Sequence, residues 1–332
     1  MLIAEYGASG LLPPIVLLAA LLIDTIVGEF GPLFRVLPHP VSLIGALTGW
    51  LDRRLNRARR AAATRAVRGA VVAVGLAAAL AVLGWALATV SRSIAYGWAI
   101  ELLLVVLLLA QRSLFDHVRA VGRALETDGL AGGRAAVAHI VSRDPAQLDE
   151  HGVARAAIES LAEGFCDAVV APAFWYLLLG LPGLFVYKTI NTMDSMVGYR
   201  TERHAAFGLV TAKLDDALNY IPARIAGGLI VAAAMFTPKG LSSQALKVML
   251  RDGGKHRSPN AGRPEAAMAG ALSVALSGPR QYDGQVMDEP WLGEEFSARI
   301  GAVEIRRALY LFVVACLVNA VVIAAIVTYL IA

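Results

Sequence analysis

The chain has 332 residues, of which 57% are hydrophobic and 17% are charged. This composition is too apolar for a soluble protein of this length and predicts a membrane protein. The formal net charge is only +4 at pH 7, and the basic residues are spread between the apolar segments, which argues against a nucleic-acid partner.

Apolar segments along the chain predict an all-α fold, that of a polytopic helical membrane protein. A membrane-spanning helix needs about 20 apolar residues, and four clear transmembrane helices are predicted at about 11–28, 67–90, 94–114 and 308–331. Two weaker apolar stretches, about 168–187 and 221–236, are predicted to be broken or re-entrant, because Pro172 and the Gly180–Gly183 turn interrupt the first of them. No linker divides the chain, so we expect a single membrane domain over residues 1–332.

The positions of Lys and Arg predict the orientation, because cytoplasmic loops collect basic residues. Seven Arg residues lie between Arg53 and Arg68, whereas the residues before position 11 include neither Lys nor Arg. We therefore expect the N-terminus on the periplasmic side of a bacterial inner membrane. Cytoplasmic helical loops that hold the active site are then expected at about 115–166, 188–220 and 237–307.

One predicted helix, which begins near Asp144, presents a regular series of acidic residues. Glu159, Glu163 and Asp167 recur every four residues, so they are expected to share one helix face. Three carboxylates on one face suit Mg²⁺, which prefers oxygen ligands. A solvated face with an ion pair between Arg155 and Glu159 explains the same spacing equally well.

A dense polar segment follows the broken apolar stretch. Asn191, Asp194 and Ser195 are spaced to lie on one side of a helix, and Arg200 and Arg203 could clamp a phosphate with paired hydrogen bonds. Polar groups next to a membrane segment are costly and therefore indicate a function. The alternative is a polar hairpin in which these groups only satisfy one another.

Two further groups place charge beside apolar segments. Lys213, Asp215, Asp216 and Asn219 precede Arg224, and the pair Asp215-Asp216 could bind a metal or hold Arg224. Adjacent residues point to different sides of a helix, so the two carboxylates need not serve one ion. The loops 255–265 and 278–284 are rich in Gly, Pro and cations and flank a run of small residues. Both loops are suited to an anionic ligand, although solvated loops have a similar composition.

Three isolated residues also allow a functional interpretation. His39 lies between two prolines, where it is either a positioned donor or a purely structural residue. Asp24 and Glu101 fall inside predicted membrane helices, and an ionisable residue in such a helix indicates a functional site by default.

Taken in order, these segments resemble the CobD/CbiB family from Asp24 to about Leu292. Two departures from the family pattern are Gly28-Glu29-Phe30, where Gly-Asp-Pro is common, and Gly164-Phe165-Cys166, where a segment with Asn is usual. The matching pieces are Leu37–Val41, Glu159–Glu163 with Asp167, Ala171–Trp175, Asn191–Arg200, Lys213–Asp216, Pro222–Arg224, Ser258–Gly262, Pro264–Leu272, Gly278-Pro279 and Tyr282-Asp283-Gly284.

The resemblance implies an enzyme of cobalamin biosynthesis, an adenosylcobinamide-phosphate synthase embedded in the lipid bilayer. Such an acid–amine ligase joins (R)-1-aminopropan-2-ol phosphate or ethanolamine phosphate to adenosylcobyric acid, with the corrinoid as substrate and ATP as co-substrate. A carboxylate and an amine do not condense in water without activation, so we expect an acyl phosphate and Mg²⁺. The assembly is left open between a homo-oligomer and a complex with other late corrinoid enzymes.

We assign roles to the candidate residues as a hypothesis. Glu159, Glu163 and Asp167 are expected to bind Mg²⁺, together with Asp194. The catalytic residues are expected to be His39, Asp194 and Asp216, with His39 or Asp216 taking the ammonium proton. The predicted substrate-binding and phosphate-binding residues are Asn191, Ser195, Tyr199, Arg200, Arg203, Lys213, Arg224, Ser258, Asn260, Glu265 and Tyr282.

Two other functions compete with the ligase. An AmpE-like membrane protein would act in signalling without ligase activity, but the Asn191–Arg200 and Ser258–Gly270 pieces favour the synthase. A small-molecule transporter could use Asp24 and Glu101 to line a pathway. The sequence shows no inverted repeat, and most of its polar groups lie in the predicted cytoplasmic segments, which argues against a transporter.

Overall fold

The computed structural model describes residues 13–28, 38–141, 144–282 and 285–332, with the backbone alone for 280–282 and 285–287. Helices dominate this part of the chain, and four very short strands interrupt them. The helices are α1 (Pro13–Val27), α2 (Pro40–Leu55), α3 (Ala62–Ser93), α4 (Trp98–Leu108), α5 (Gln111–Thr127), α6 (Gly129–Val137), α7 (Glu150–Phe165), α8 (Ala171–Val197), α9 (Leu209–Ala234), α10 (Ser242–Asp252), α11 (Gly262–Leu272) and α12 (Ala302–Ile331). The strands are β1 (Leu276–Ser277), β2 (Arg280–Tyr282), β3 (Gln285–Met287) and β4 (Trp291–Leu292).

Five helical ranges in the described residues are long and apolar enough to cross a membrane, which confirms the predicted polytopic helical fold. Three of the four predicted clear spans fall largely within these ranges. The other, about 11–28, forms α1, whose 15 residues are fewer than a crossing helix usually has. The five ranges are Ala62–Ser93, Trp98–Thr127, Glu150–Val197, Leu209–Ala234 and Ala302–Ile331.

The predicted break in the first weak apolar stretch is present at Gly180 in α8. Its φ of 66° and ψ of −152° are not helical, and only glycine adopts such angles without strain. A Cβ on Gly183 would lie 2.5 Å from the carbonyl oxygen of Trp175, although eight residues of straight helix rise about 12 Å. The chain therefore folds back at Gly180 into a helical hairpin, as expected of a re-entrant element.

The second weak stretch behaves differently. Most of 221–236 lies in α9, a helix of 26 residues that contains Pro222. This helix is long enough to cross a membrane, and it lacks the reversal expected of a re-entrant element.

The chain divides into two compact units, so the single membrane domain stays a prediction. The first unit comprises Met1–Ala110, Ala171–Asn219 and Ile323–Ala332. Its core joins Val72, Ala73 and Leu76 of α3 to Ile190, Met193 and Val197 of α8. A Cβ on Gly84 of α3 would lie 2.9 Å from the backbone of Pro182, so the absent side chain lets the hairpin tip rest directly on α3.

The second unit comprises Gln111–Val170 and Tyr220–Val322. Helices α10 and α11 pack closely there, because a Cβ on Gly270 would lie 2.7 Å from the Cα of Ala245. β1 pairs antiparallel with β4, and β2 with β3. Asp252, at the end of α10, accepts a hydrogen bond from the backbone N–H of Gly293 at 2.9 Å, which fixes the loop after β4.

Candidate functional site

The densest polar group of the first unit lies where the end of α8 meets the first turns of α9. Asp215 is its centre, because Oδ1 accepts a hydrogen bond from Nδ2 of Asn191 at 3.3 Å and Oδ2 accepts one from Nδ2 of Asn219 at 3.0 Å. Oδ1 of Asn219 accepts a further bond from the hydroxyl of Tyr187 at 3.0 Å. The Asp215 network, comprising these four residues, therefore crosslinks two helices through side chains.

Asp194 lies beside the Asp215 network, and the hydrogen-bonding capacity of its carboxylate is only partly used. The carboxylates of Asp215 and Asp216 repel its charge. Its Oδ1 atom is buried and has no hydrogen-bond partner among the described residues. A Cβ on Gly198 would lie 1.9 Å from that oxygen, so glycine leaves the space in which the carboxylate sits. A buried carboxylate oxygen without a donor requires a cation or a proton from elsewhere.

The other residues predicted between 191 and 213 surround this cluster with exposed groups. Arg200 is exposed, and its charge acts on Asp216. Tyr199 and Lys213 are exposed as well. The Ser195 hydroxyl donates to the carbonyl of Asn191 at 3.0 Å, a bond within its own helix. The structure thus brings Asn191, Asp194 and Arg200 of one predicted group close to Asp216 of another, and their roles stay predictions.

Arg203 is engaged elsewhere, although it was predicted to bind phosphate. Its Nε donates to Oδ2 of Asp52 at 3.1 Å, and Asp52 also accepts from Asn56 at 2.7 Å. Burial opposes ionisation of Asp52, but the hydrogen bonds from Arg203 and Asn56 outweigh it and hold the pKa of Asp52 below its usual value. This contact holds the loop after α8 against α2, and the phosphate role stays a prediction.

The acidic series begins on α7 but extends beyond it. α7 ends at Phe165, and Asp167 lies in the π-helical turn Cys166–Val170 that follows. Oε1 of the buried Glu159 accepts a hydrogen bond from the backbone N–H of Ser277 at 2.7 Å, whereas Glu163 is exposed. Over the described ranges, no group of three His, Cys, Asp or Glu side chains is arranged to hold a metal ion. The Mg²⁺ role of Glu159, Glu163 and Asp167 stays a prediction.

The predicted residues of the second unit cluster at the start of α11. The Ser258 hydroxyl accepts hydrogen bonds from the backbone N–H groups of Asn260 and Ala261, at 3.3 and 3.2 Å. Glu265 is buried, and its Oε1 lies 3.9 Å from Nε2 of His256. The side chain of Tyr282 lies outside the described residues, as do Asp283 and Gly284.

Three other singled-out residues have local partners. Nδ1 of His39 accepts the backbone N–H of Val41 at 3.2 Å and caps α2. Arg224 lies over the ring of Tyr220, with 3.5 Å between the guanidinium carbon and the ring centroid. The buried Glu101, on which the transporter alternative partly depends, accepts the hydroxyl of Tyr176 at 2.8 Å.

Sequence reasoning assigned no role to two members of the Asp215 network. Asn219 was noted only as part of a polar group, and Tyr187 was not singled out, whereas Asp215 was considered, with Asp216, as a metal ligand or a partner of Arg224. The available signal was the four-residue spacing of Asp215 and Asn219, which places both on one face of α9.

Comparisons with known proteins agree over nearly the whole chain. The family described as "CobD/Cbib protein" matches residues 17–312. A relative from Brucella anthropi is 48% identical over 300 residues, covering 90% of this chain and 92% of its own length. A relative from Rhizobium meliloti is 46% identical over 304 residues, covering 91% and 93%, and one from Rhodobacter capsulatus is 46% identical over 283 residues, covering 83% and 85%. Each is named "Cobalamin biosynthesis protein CobD", and no solved structure matches significantly.

Proposed function

Because this chain belongs to the CobD/CbiB family, we propose that it acts in cobalamin biosynthesis as an adenosylcobinamide-phosphate synthase of the bacterial inner membrane. The substrates are adenosylcobyric acid and an amino-alcohol phosphate, either (R)-1-aminopropan-2-ol phosphate or ethanolamine phosphate. One amide bond forms between the corrinoid carboxylate and the amine, and ATP is cleaved to ADP and phosphate. The names of the relatives support the pathway, and the cluster around Asp194 supports a site for phosphate chemistry.

The unpaired oxygen of Asp194 carries the proposal. A buried carboxylate oxygen beside two further carboxylates is unfavourable unless a cation joins it. Asp194 fits the oxygen ligands that Mg²⁺ prefers, and Mg²⁺ would supply positive charge against the oxygens of a transferred phosphoryl group. Glu159, Glu163 and Asp167 fit a Mg²⁺ site less well, because Oε1 of Glu159 already accepts a hydrogen bond from the N–H of Ser277.

The neighbouring residues fit the remaining tasks. Arg200 is exposed next to Asp216 and can bind the phosphate of the amine substrate with paired hydrogen bonds. The attacking ammonium must lose a proton, and we assign that step to Asp216, whose position next to the charge of Arg200 supports the assignment. His39 is the weaker candidate, because a neutral imidazole has one acceptor nitrogen and Nδ1 of His39 already accepts from Val41.

The test uses the full chain purified in detergent. Adenosylcobyric acid is incubated with each amino-alcohol phosphate, with MgATP and without ATP, and the corrinoids are separated by chromatography. We expect adenosylcobinamide phosphate only when ATP is present. Amide formation without ATP would reject the ligase mechanism, and no product with either amine would reject the synthase.

Variants locate the site within the same assay. Asp194→Asn is expected to abolish product formation, whereas Asp116→Asn, at an exposed position of α5, serves as the control and should retain it. Glu163→Gln tests the Mg²⁺ assignment made from the sequence. Loss of product in Glu163→Gln with full activity in Asp194→Asn would move the metal site to α7.

A further inference from the structure

A cavity of about 240 Å³ lies within the second unit, where α9 has ended and α12 begins. Three basic side chains, Lys239, Arg306 and Arg307, line it. Its apolar wall includes Leu272 and Val303. The combination of basic residues with an apolar wall is suited to an anion that also has an apolar part.

Within the part of the chain that the structure describes, two of these positive charges have no carboxylate partner. Arg306 pairs with Glu126 of α5. Among the residues that the structure describes, Lys239 and Arg307 form no ion pair with any carboxylate. Lys239 is held in a turn in which the N–H of Gly240 donates to the carbonyl of Thr237 at 2.8 Å. The cavity is therefore pre-formed and has a net positive charge.

Exposed apolar side chains surround the cavity on the membrane helices. Met235 and Phe236, which follow α9, are each 69% exposed. On α12, Tyr310 lines the cavity, and Leu317 and Val321 follow it on the same helix face and are exposed. Both helices are among the candidate membrane spans, so in a bilayer these exposed side chains would contact lipid. Tyr is enriched at membrane interfaces, and Tyr310 in the cavity lining agrees with a position at headgroup depth.

We infer that this cavity binds the phosphate headgroup of an anionic phospholipid, with an acyl chain along the exposed face of α12. Basic pockets between membrane helices bind such headgroups. A free phosphate would meet the same cations but would leave the exposed face of α12 unused. The inference is independent of the ligase reaction, since the cavity and the Asp194 cluster share no residue.

The experiment measures lipid bound to the full chain in detergent by native mass spectrometry. Phosphatidylglycerol is compared with phosphatidylcholine of identical acyl chains, and inorganic phosphate is the competitor. We expect preferential binding of phosphatidylglycerol. Lys239→Gln and Arg307→Gln should each weaken it about fivefold, because one cation near an anionic headgroup contributes about 1 kcal/mol.

Controls separate a specific lipid site from nonspecific binding and from a free-phosphate site. Arg299→Gln, at an exposed position outside the cavity, should bind as the wild type does. A second control uses the wild type alone. Added salt should weaken its binding of phosphatidylglycerol more than its binding of phosphatidylcholine. Equal binding of the two lipids, or unchanged binding in both variants, would overturn the inference. Displacement of phosphatidylglycerol by millimolar inorganic phosphate would make this a free-phosphate site and would also overturn it.

Discussion

Asp252 in the second unit and Asp194 in the first are both aspartates removed from solvent, yet the protein treats them differently. Both oxygens of Asp252 are satisfied, by Arg251, by Nζ of Lys255 at 2.8 Å and by the N–H of Gly293 at 2.9 Å. Oδ1 of Asp194 has no donor among the described residues. A buried acid with both oxygens hydrogen-bonded stabilises a fold, whereas a buried oxygen without a donor is open to a cation, a proton or a water molecule.

The electrostatics of Asp252 agree with a structural role. Burial opposes its ionisation, but hydrogen bonds from Arg251 and Lys255 and from the N–H of Gly293 outweigh burial and hold the pKa of Asp252 well below its usual value. The carboxylate therefore stays charged at every pH at which the enzyme would work. It stabilises the junction of α10 with the loop after β4.

The largest expected effect is on activity at Asp194. Asp194→Asn should lower turnover about 100-fold or more, the usual cost of removing one charged group from a phosphoryl-transfer or acyl-transfer site. The thermal unfolding midpoint should not fall, because the substitution removes repulsion from Asp215 and Asp216. Turnover of Asp194→Asn within threefold of the wild type, measured by corrinoid chromatography, would contradict the contrast between Asp194 and Asp252.

The opposite pattern is expected at Asp252. Asp252→Asn should lower the free energy of unfolding by about 2 to 3 kcal/mol, since charge-assisted hydrogen bonds from two cations are lost. Turnover per folded molecule should be unchanged. Thermal unfolding followed by intrinsic fluorescence, together with the corrinoid assay, measures both quantities. A stable but inactive variant would show that Asp252 serves the reaction.

The pH dependence of stability sharpens the same contrast. The pKa of Asp252 is lower in the folded state than the usual value of 3.8, so its stabilisation is fully present above that value and is lost as the pH falls below it. The difference in unfolding midpoint between the wild type and Asp252→Asn should therefore be constant from pH 7 to about 5 and shrink below about 4. A difference that grows on acidification would refute the pKa direction.

The smallest effect is expected where an acid is paired with an exposed cation. The Arg203 side chain is 53% exposed in its contact with Asp52, so the pair should contribute less than about 1 kcal/mol. Arg203→Gln and Asp52→Asn should therefore lower the unfolding midpoint by similar small amounts and leave KM for the amine unchanged. A tenfold rise in KM in Arg203→Gln alone would support the phosphate role predicted from the sequence.

Local signals in the sequence predicted much of the fold. Apolar length indicated the membrane helices, and Pro172 and Gly180 indicated the broken stretch that forms the hairpin. The polar residues after that stretch were placed correctly near one another, because three-residue and four-residue spacings put them on one face of each helix. Such features are determined by residues that are close together in the chain, so the sequence alone is enough to predict them.

Contacts between distant segments were not predictable in the same way. Glu159 was expected to bind a metal, but its partner is the N–H of Ser277, 118 residues away. The four-residue spacing of Glu163 and Asp167 also gave no sign of the π-helical turn at Cys166–Val170 in which Asp167 lies. Tyr187 was missed because a Tyr in an apolar helix gives no sign of a hydrogen bond to Asn219.

The reversal at Gly180 also constrains how the chain is inserted during synthesis. The turn of the hairpin is Gly180-Leu181-Pro182-Gly183, so no charged loop has to pass through the bilayer at this point, whether the hairpin crosses the membrane or re-enters. The tip rests against Gly84 of α3, and α3 leaves the ribosome first because it is earlier in the chain. The surface of α3 against which the turn packs is thus already synthesised when the hairpin emerges, so the turn can pack as soon as it is made.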